Sequence, residues 1–399
     1  MAHKQTQGRD QGKESRRGFL RESSFLIAGA MPGVTASPIE DQTDSLNAAG
    51  CLKIGVVGCG RRGLQLARQA MNDGHEIVAL ADITADAVQR FVRGIGSAER
   101  FNVSPSMRFA GVDAYERLLA TPVDSVILAT APADRPTQVE LALSAAKNVI
   151  AARPLAVDLQ GLRQFENAFN AAQREGLKWS VPCDLLGSPA VAASLDAIRS
   201  GVIGQVLNIR TLVRGHPLPS FAPQQSAEVS RRRNWQHDAL LSGGGPLEQL
   251  HDRFAICELI AGQPLEIQGI CSAIVDSPSG ASARNDAAGL LNQLAVDVKY
   301  ADCWMQAFWR RTSTEWAGPK LLVQGTLGSC DLETGKIANL RRERIEITQA
   351  IPLKDGAQSQ FDLSAASGMA AIRATKAAIL ARDAAVHGKR QRFNEPTNC

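Results

Sequence analysis

The sequence predicts a two-domain α/β protein, in which a doubly wound parallel sheet precedes an α+β domain with an open, mainly antiparallel sheet. Two observations lead to this prediction. As far as about residue 183, short apolar runs alternate with helix-like segments, which is typical of strand-helix-strand units. Beyond that point, longer runs alternate apolar and polar side chains with a period of two, which is typical of antiparallel sheets.

Composition narrows the class of protein. A chain of 399 residues suits two domains, and 44% hydrophobic residues with a net charge of +4 indicate a globular protein. No basic stripe points to a nucleic acid, so we expect no nucleic-acid partner. The eight cysteines form no Cys-x-x-Cys pair and the six histidines show no ligand spacing with them, so we predict no metal site.

The first 36 residues differ from the rest. Arg16 and Arg17 precede a short, weakly apolar stretch and small residues, which resembles a twin-arginine export signal cleaved after Ala36, with a linker over 37–50. We therefore expect the twin-arginine export machinery to deliver the protein to the periplasm or otherwise out of the cytoplasm. No membrane span is expected in the mature protein, because spanning needs about 20 apolar residues. A disordered tail with a chance arginine pair is the alternative.

A glycine motif opens the folded part. An apolar strand is predicted over 52–57, Gly58, Gly60 and Gly63 follow as G-x-G-x-x-G, and a helix is predicted over 64–71. Such glycines tighten the turn and let the backbone approach a pyrophosphate, whose charge the helix N-terminus favours. The order strand, glycine turn, helix therefore predicts a Rossmann domain that binds a dinucleotide.

The next strand indicates which dinucleotide. A strand over 76–81 ends at Asp82, at about the distance where an acidic residue accepts hydrogen bonds from the ribose. An aspartate there repels a 2′-phosphate, so NAD is favoured over NADP. Arg61 and Arg62 in the glycine turn can offset that repulsion, so NADP stays possible. Cys59 in the same turn is also expected to contact the cofactor.

Further strands extend this sheet. In open parallel sheets ligands lie outside the carboxyl ends of the strands, which is where Thr130, Pro132 and Arg153 fall. These three residues are therefore predicted to line the cofactor site. The Rossmann domain is placed at 51–183, with strands at 123–129, 148–152 and 177–183 and helices at 139–146 and 158–175.

The second domain is placed at 184–399, for substrate binding and oligomerisation. An open sheet must cover its apolar face with helices or a second subunit, so we expect a homo-oligomer. The last helix is expected to pack back on the first domain. The predicted elements are helices at 189–200 and 363–387 and strands at 205–213, 266–275, 291–299, 303–310 and 321–330.

Four later motifs carry a family resemblance. They are "GVIGQV" at 201–206, "RNWQHDALLSGGGPLEQ" at 233–249, "VQGTLGSCDL" at 323–332 and "AILARDAAVHGKRQRFNE" at 378–395. With the glycine turn, they resemble the Gfo/Idh/MocA oxidoreductase family, and in particular an exported branch common in planctomycete-like bacteria. The resemblance implies a dinucleotide in the first domain and a sugar, cyclitol or related polyol at the domain interface.

The family's catalytic motifs are altered. Its Glu-Lys-Pro, whose lysine assists proton transfer, is matched by an Ala-Arg-Pro centred on Arg153. Its His-x-x-Asp is matched by Asp252 and Ala255, and His251 stands one residue early. A one-residue slip on a helix rotates a side chain by about 100°. The resemblance therefore implies that the usual acid-base pair is missing.

Replacement catalysts can be named from the sequence. Oxidation of an alcohol needs removal of the hydroxyl proton, and an arginine stays protonated, so Arg153 is predicted to bind and orient. Glu248, His251 and Asp252 share a helix face at i, i+3 and i+4 and can form a catalytic cluster. A packed His251 is the alternative. His237 is a second candidate.

Three functions remain open at this point. The first is an exported NAD(P)-dependent oxidoreductase that acts on a sugar-like alcohol with replaced acid-base residues. The second is a catalytically degenerate protein that binds a dinucleotide and a sugar. The third, implied by exported relatives in the family, is a glycosidase that uses bound NAD.

Overall fold

Two sheets organise the chain in the computed structural model. The first sheet is parallel throughout and has the strand order β3-β2-β1-β4-β5-β6, which is the doubly wound order. Its strands are β1 Lys53–Val57, β2 Glu76–Asp82, β3 Arg108–Ala110, β4 Ser125–Leu128, β5 Asn148–Ala151 and β6 Trp179–Ser180. The structure describes residues 50–215, 218, 220–221, 226–272, 290–311, 320–341, 344–350 and 365–394, so the predicted export signal lies outside it.

Helices cover both faces of the first sheet. They are α1 Arg61–Asn72, α2 Ala85–Ile95, α3 Ala114–Leu119, α4 Arg135–Ser144 and α5 Leu159–Arg174. The central strands are enclosed by them, and Ile54, Val56 and Ile127 have no exposed surface. This two-sided burial explains why β1 and β4 read as continuous apolar runs. The predicted fold class is confirmed for this part of the chain.

The last strand of this sheet is shorter than predicted. Only Trp179 and Ser180 pair with β5, instead of the whole run 177–183. The Trp179 ring packs between Phe165 and Phe169 of α5, with centroids 5.0 and 4.4 Å away. Pro182 follows and has no N–H to offer a ladder, so pairing stops there.

The second sheet has nine strands in the order β14-β13-β12-β11-β7-β10-β9-β8-β15. Every neighbouring pair is antiparallel except β7 and β10, so the predicted mainly antiparallel sheet is confirmed. The strands are β7 Val206–Arg214, β8 Glu266–Ser272, β9 Gln293–Lys299, β10 Trp304–Arg310, β11 Lys320–Gly325, β12 Gly328–Asp331, β13 Lys336–Arg341, β14 Arg344–Gln349 and β15 Gln391–Arg392.

One predicted strand was wrong. The run 321–330 forms a hairpin of β11 and β12 and not a single strand. The chain turns there because it closes against the loop before β7: Thr326 Oγ1 accepts a hydrogen bond from Gln205 N at 3.1 Å. At Gly325, a Cβ would lie 2.2 Å from the Ile203 carbonyl oxygen, so this close approach requires glycine.

The described residues of the second half form five helices: α6 Pro189–Arg199, α7 Ala227–Arg233, α8 Ala239–Ser242, α9 Leu247–Ala261 and α10 Ala365–His387. The last of them packs against the first domain, as predicted: Thr375 Oγ1 accepts from Leu155 N at 3.3 Å, and Arg382 Nη1 donates to Val157 O at 2.6 Å. The described part of the chain contains no helix long and apolar enough to cross a membrane.

Candidate functional site

Two glycines of the turn after β1 are required by the fold. Gly58 has φ of +92°, and a Cβ there would lie 2.6 Å from the Ala129 carbonyl oxygen. At Gly63, a Cβ would lie 2.0 Å from the Gly58 carbonyl oxygen. Both contacts are with backbone atoms that cannot move aside. These glycines therefore set the turn and the packing of α1 on the sheet.

Gly60 differs, because the fold does not require a glycine there. Its φ is −84°, and an added Cβ would meet no atom within 4 Å. Gly60 is the N-cap of α1 and no side chain caps the helix, so the first-turn N–H groups face open space. A bare backbone at an uncapped helix N-terminus fits a pyrophosphate, which carries the opposite charge.

Asp82 ties the glycine turn to the end of β2. Its Oδ2 accepts from Cys59 N at 2.8 Å, and its Oδ1 accepts from Thr84 N at 3.2 Å. Burial raises the pKa of Asp82, although these N–H groups oppose the shift. The carboxylate is therefore held beside the glycine turn.

A cavity of about 720 Å³ opens over this turn. Gly58, Cys59, Gly60, Asp82 and Thr130 line one side of it. The opposite wall comes from the segment around α7, with Arg232, Arg233 and Trp235. Its walls thus combine the glycine turn, the acidic residue and the ends of several strands, which fits a dinucleotide.

Replacing Gly60 by alanine is expected to weaken NAD binding at least tenfold, which corresponds to about 1.4 kcal/mol. The methyl group would occupy the space that the pyrophosphate needs, while the open surroundings leave the fold intact. Calorimetric titration with NAD checks the affinity, and thermal unfolding without NAD checks the fold. Gly63→Ala is the comparison, because it is expected to unfold the turn. Unchanged affinity for NAD in Gly60→Ala would contradict the placement of the pyrophosphate beside Gly60.

A second cavity, of about 580 Å³, adjoins the first and shares Gly60 and Arg233 with it. It is lined by Arg61, Arg62, Pro132 and Arg153 from the first domain. Glu248 and Gln249, at the start of α9, line it from the second. This cavity lies at the carboxyl ends of β4 and β5, where the reactive end of a bound dinucleotide and its substrate would meet.

Arg153 belongs to a charge network beside the second cavity. Its Nε lies 2.5 Å from Asp252 Oδ1, and its Nη2 lies 3.2 Å from Asp184 Oδ2. Asp184 also holds Arg62, whose Nη1 lies 2.7 Å away. Burial by itself lowers the pKa of Arg153. The carboxylates of Asp252 and Asp184 together outweigh burial, so the pKa of Arg153 lies above its ordinary value. Arg153 therefore cannot act as a base.

The structure keeps two members of the predicted cluster on α9 in contact, since His251 Nδ1 lies 3.4 Å from Asp252 Oδ1. Glu248 lines the second cavity, and Asp252 pairs with Arg153. His251 is 1% exposed and turns toward α10, where its Nε2 lies 3.2 Å from Ala371 O. His237 is exposed in the turn Trp235–His237. Neither histidine lines the two cavities, so the structure favours a packed His251 over a catalytic one.

Two arginines at the second cavity were not predicted. Arg135 is buried at the start of α4 and donates to the carbonyl oxygens of Thr130 and Pro154, and burial lowers its pKa to about 9. Its position close after Thr130 and Pro132 was a usable signal in the sequence. Arg311 directly follows β10, and nothing in the local sequence distinguishes it from Arg310. Its place at the cavity depends on which face of the strand each side chain takes.

Together, the doubly wound sheet, the glycine turn and the first cavity define a dinucleotide-binding architecture. Residues 52–182 match the Gfo/Idh/MocA family model, described as an oxidoreductase family with an NAD-binding Rossmann fold. This part of the chain is therefore an NAD-binding Rossmann domain. The family match ends at residue 182, and beyond it the chain shares its fold with solved structures. No curated protein matches the sequence.

Solved structures share the whole fold at low identity. An NAD-binding oxidoreductase from Klebsiella pneumoniae is 16% identical with a TM-score of 0.65, and the match covers 87% of this chain and 100% of the other. An oxidoreductase from Agrobacterium radiobacter, in complex with NAD+, L-tartaric acid and magnesium, is 15% identical with a TM-score of 0.60. That match covers 86% of this chain and 98% of the other. An aldose-aldose oxidoreductase from Caulobacter crescentus, complexed with glycerol, is 16% identical with a TM-score of 0.63. That match covers 86% of this chain and 99% of the other.

Proposed function

We propose that this protein is an exported NAD-dependent oxidoreductase that acts on a secondary alcohol of a sugar, cyclitol or related polyol. The observation that carries the proposal is the second cavity, which adjoins the dinucleotide cavity and is lined by polar side chains from both domains. The aldose-aldose oxidoreductase with the same fold supports a sugar-like substrate. When bound, NAD accepts the hydride from the alcohol carbon.

Glu248 is proposed to take the hydroxyl proton. Among the described residues that line the second cavity, it is the one acidic side chain, and it has no ion-pair partner among them. A carboxylate can accept a proton, whereas Arg153, which stands at the family's lysine position, cannot. Arg153 is instead proposed to hold the geometry of the cavity wall through Asp184 and Asp252.

A catalytically degenerate binding protein is the second candidate. The observation in its favour is the ion pair between Arg153 and Asp252, which occupies both positions where the family carries its lysine and histidine. Asp252 is held by Arg153 and does not line the second cavity, so it does not reach a substrate there. The cavities would then bind NAD and a sugar without turnover.

One experiment separates the two candidates. The purified chain is titrated with NAD, then offered NAD with a panel of sugars, cyclitols and polyols while the absorbance of the reduced cofactor is followed. Reduction with at least one member of the panel is the expected result. Binding of NAD and of a sugar without reduction would establish the degenerate protein, and absence of NAD binding would overturn both.

Export is proposed from residues 1–36, by the resemblance to a twin-arginine signal. Changing Arg16→Lys and Arg17→Lys together is expected to retain the precursor in the cytoplasm, because this pathway reads the arginine pair. Cell fractionation with an antibody to the protein measures the distribution. Binding of NAD by the retained precursor is the control for folding. An unchanged periplasmic fraction would contradict export by this route.

A homo-oligomer is proposed as well. The outer face of the second sheet exposes large apolar side chains, among them Ile270 at 74%, Trp304 and Phe308. Exposed apolar groups on one sheet face are typical of subunit interfaces. A second copy of the chain is the proposed partner for this face.

A further inference from the structure

Positive charge dominates the second cavity. Six arginines line it, whereas Glu248 is the one acidic residue among its described lining residues. The arginines are Arg61, Arg62, Arg135, Arg153, Arg233 and Arg311. A neutral polyol does not need such a wall, because uncharged hydrogen-bonding groups suffice to bind hydroxyl groups.

Three of these arginines are already balanced by carboxylates of the protein. Arg62 and Arg153 are held by Asp184 and Asp252. Arg233 donates from Nη1 to Asp86 Oδ1 at 3.2 Å. The other three, Arg61, Arg135 and Arg311, have no ion-pair partner in the described part of the chain and face a single acidic residue of the wall, Glu248. Arg61 lies in the glycine turn beside the proposed pyrophosphate, and Arg135 donates to two backbone carbonyl oxygens. Arg311 therefore remains as the candidate to bind a further anion.

Arg311 is the unbalanced arginine best placed to bind a ligand. Its backbone N–H donates to Asn292 O at 2.8 Å, and its guanidinium lies 5.2 Å from the centre of the Trp309 ring, so the side chain is held in position. Its guanidinium has no hydrogen-bond or ion-pair partner among the described residues. Partial burial lowers the pKa of Arg311, which reflects the cost of an unpaired buried charge.

The space in front of Arg311 is open to a ligand. A Cβ on Gly245 would lie 3.3 Å from Arg311 Nη2, so the bare glycine leaves room beside the guanidinium. Gln249, which lines the same cavity, has a buried Oε1 without a described hydrogen-bond partner. A cavity that offers both a guanidinium donor and an amide acceptor matches a ligand that carries both an oxyanion and a hydroxyl group.

We propose that the alcohol substrate of this protein is an anion, whose carboxylate or phosphate binds Arg311. The proposal rests on the function proposed above and narrows its substrate class to sugar acids or sugar phosphates. Gln249 Oε1 accepts a hydrogen bond from a substrate hydroxyl. Arg311 then gains the ion-pair partner that it lacks among the described residues.

The test compares matched ligands on the full chain loaded with NAD. Calorimetric titrations use a panel of hexoses, the corresponding uronates and the corresponding hexose phosphates. In wild type, at least one uronate or phosphate is expected to bind tenfold or more tightly than its neutral hexose, and added salt is expected to reduce that advantage. A preference for uronates identifies a carboxylate substrate, and a preference for phosphates identifies a phosphorylated one.

Variants locate the effect. In Arg311→Gln, the affinities for the acidic and the neutral sugar are expected to lie within about threefold of each other. Arg311→Lys is expected to retain part of the preference for the acid. Arg310→Gln is the matched control, because Arg310 is exposed on the other face of β10, over the Phe308 ring, and is expected to keep the full preference.

Two results would overturn the inference. One is equal affinity for acids, phosphates and neutral sugars in wild type. The other is a preference that Arg311→Gln leaves intact while the variant remains folded by circular dichroism. Reduction of NAD by a neutral polyol under either result would leave the proposed oxidoreductase in place, so the two failures are distinguishable.

Discussion

Replacing Asp252 by asparagine is expected to lower the free energy of unfolding by about 3–5 kcal/mol, because breaking a buried ion pair leaves a buried charge uncompensated. Asp252 is 5% exposed, and its Oδ1 lies 2.5 Å from Arg153 Nε. Asparagine keeps the shape of the side chain but removes its charge. Arg153 would then depend on Asp184, which it shares with Arg62.

Chemical denaturation of the chain without NAD measures this change. Asp113→Asn is the matched control, because Asp113 pairs with Arg117 at 3.6 Å on the surface, where both side chains are about half exposed. The free energy of unfolding of that control is expected to stay within about 1 kcal/mol of the wild-type value. If Asp252→Asn lowers the free energy of unfolding no more than Asp113→Asn does, the buried ion pair does not stabilise the fold.

The second large effect concerns catalysis. Combining Arg153→Lys with Asp252→His restores the residue types that the family carries at these positions, and we expect the rate of NAD reduction to rise about 10- to 100-fold. Arg153→Lys alone is expected to give no increase. The new ammonium group would still lie beside Asp252 and Asp184, which favour its charged form.

The measurement is kcat/KM with the best substrate of the panel, as a function of pH. In the double variant, an imidazole that takes part in proton transfer is expected to add a pH dependence near its ordinary pKa of about 6.5. Affinity for NAD is the control and should stay within about threefold of wild type. A single variant as active as the double one, or a double variant that binds NAD without any gain, would contradict this account of the pair.

Local sequence patterns were sufficient for much of the fold. The apolar run of β1 and the close approach of Gly63 to Gly58 are features of one turn, so they can be recognised without the rest of the chain. The position of Asp82 at the end of β2 follows in the same way. The hairpin of β11 and β12 was missed because its turn is fixed by Ile203 and Gln205, which are distant in sequence.

The candidate site shows the same division. Arg153 was placed correctly at a strand end, but its role depends on Asp184 and Asp252, which the fold brings to it from other elements. His251 and Asp252 contact each other at 3.4 Å, and yet the second nitrogen of His251 meets α10 whereas Asp252 meets Arg153. Sequence spacing gives the angle between two side chains on a helix, but it does not tell which neighbour each one meets.

By itself, the sequence determined the dinucleotide cradle, since a glycine turn between a buried strand and a helix is a local structure whose requirements are met by adjacent residues. Only the tertiary structure decided that Arg153 is neutralised and that Arg311 is not. Charge balance in a cavity depends on distances between residues from different elements, because the Coulomb energy of a pair follows its separation in space and not along the chain.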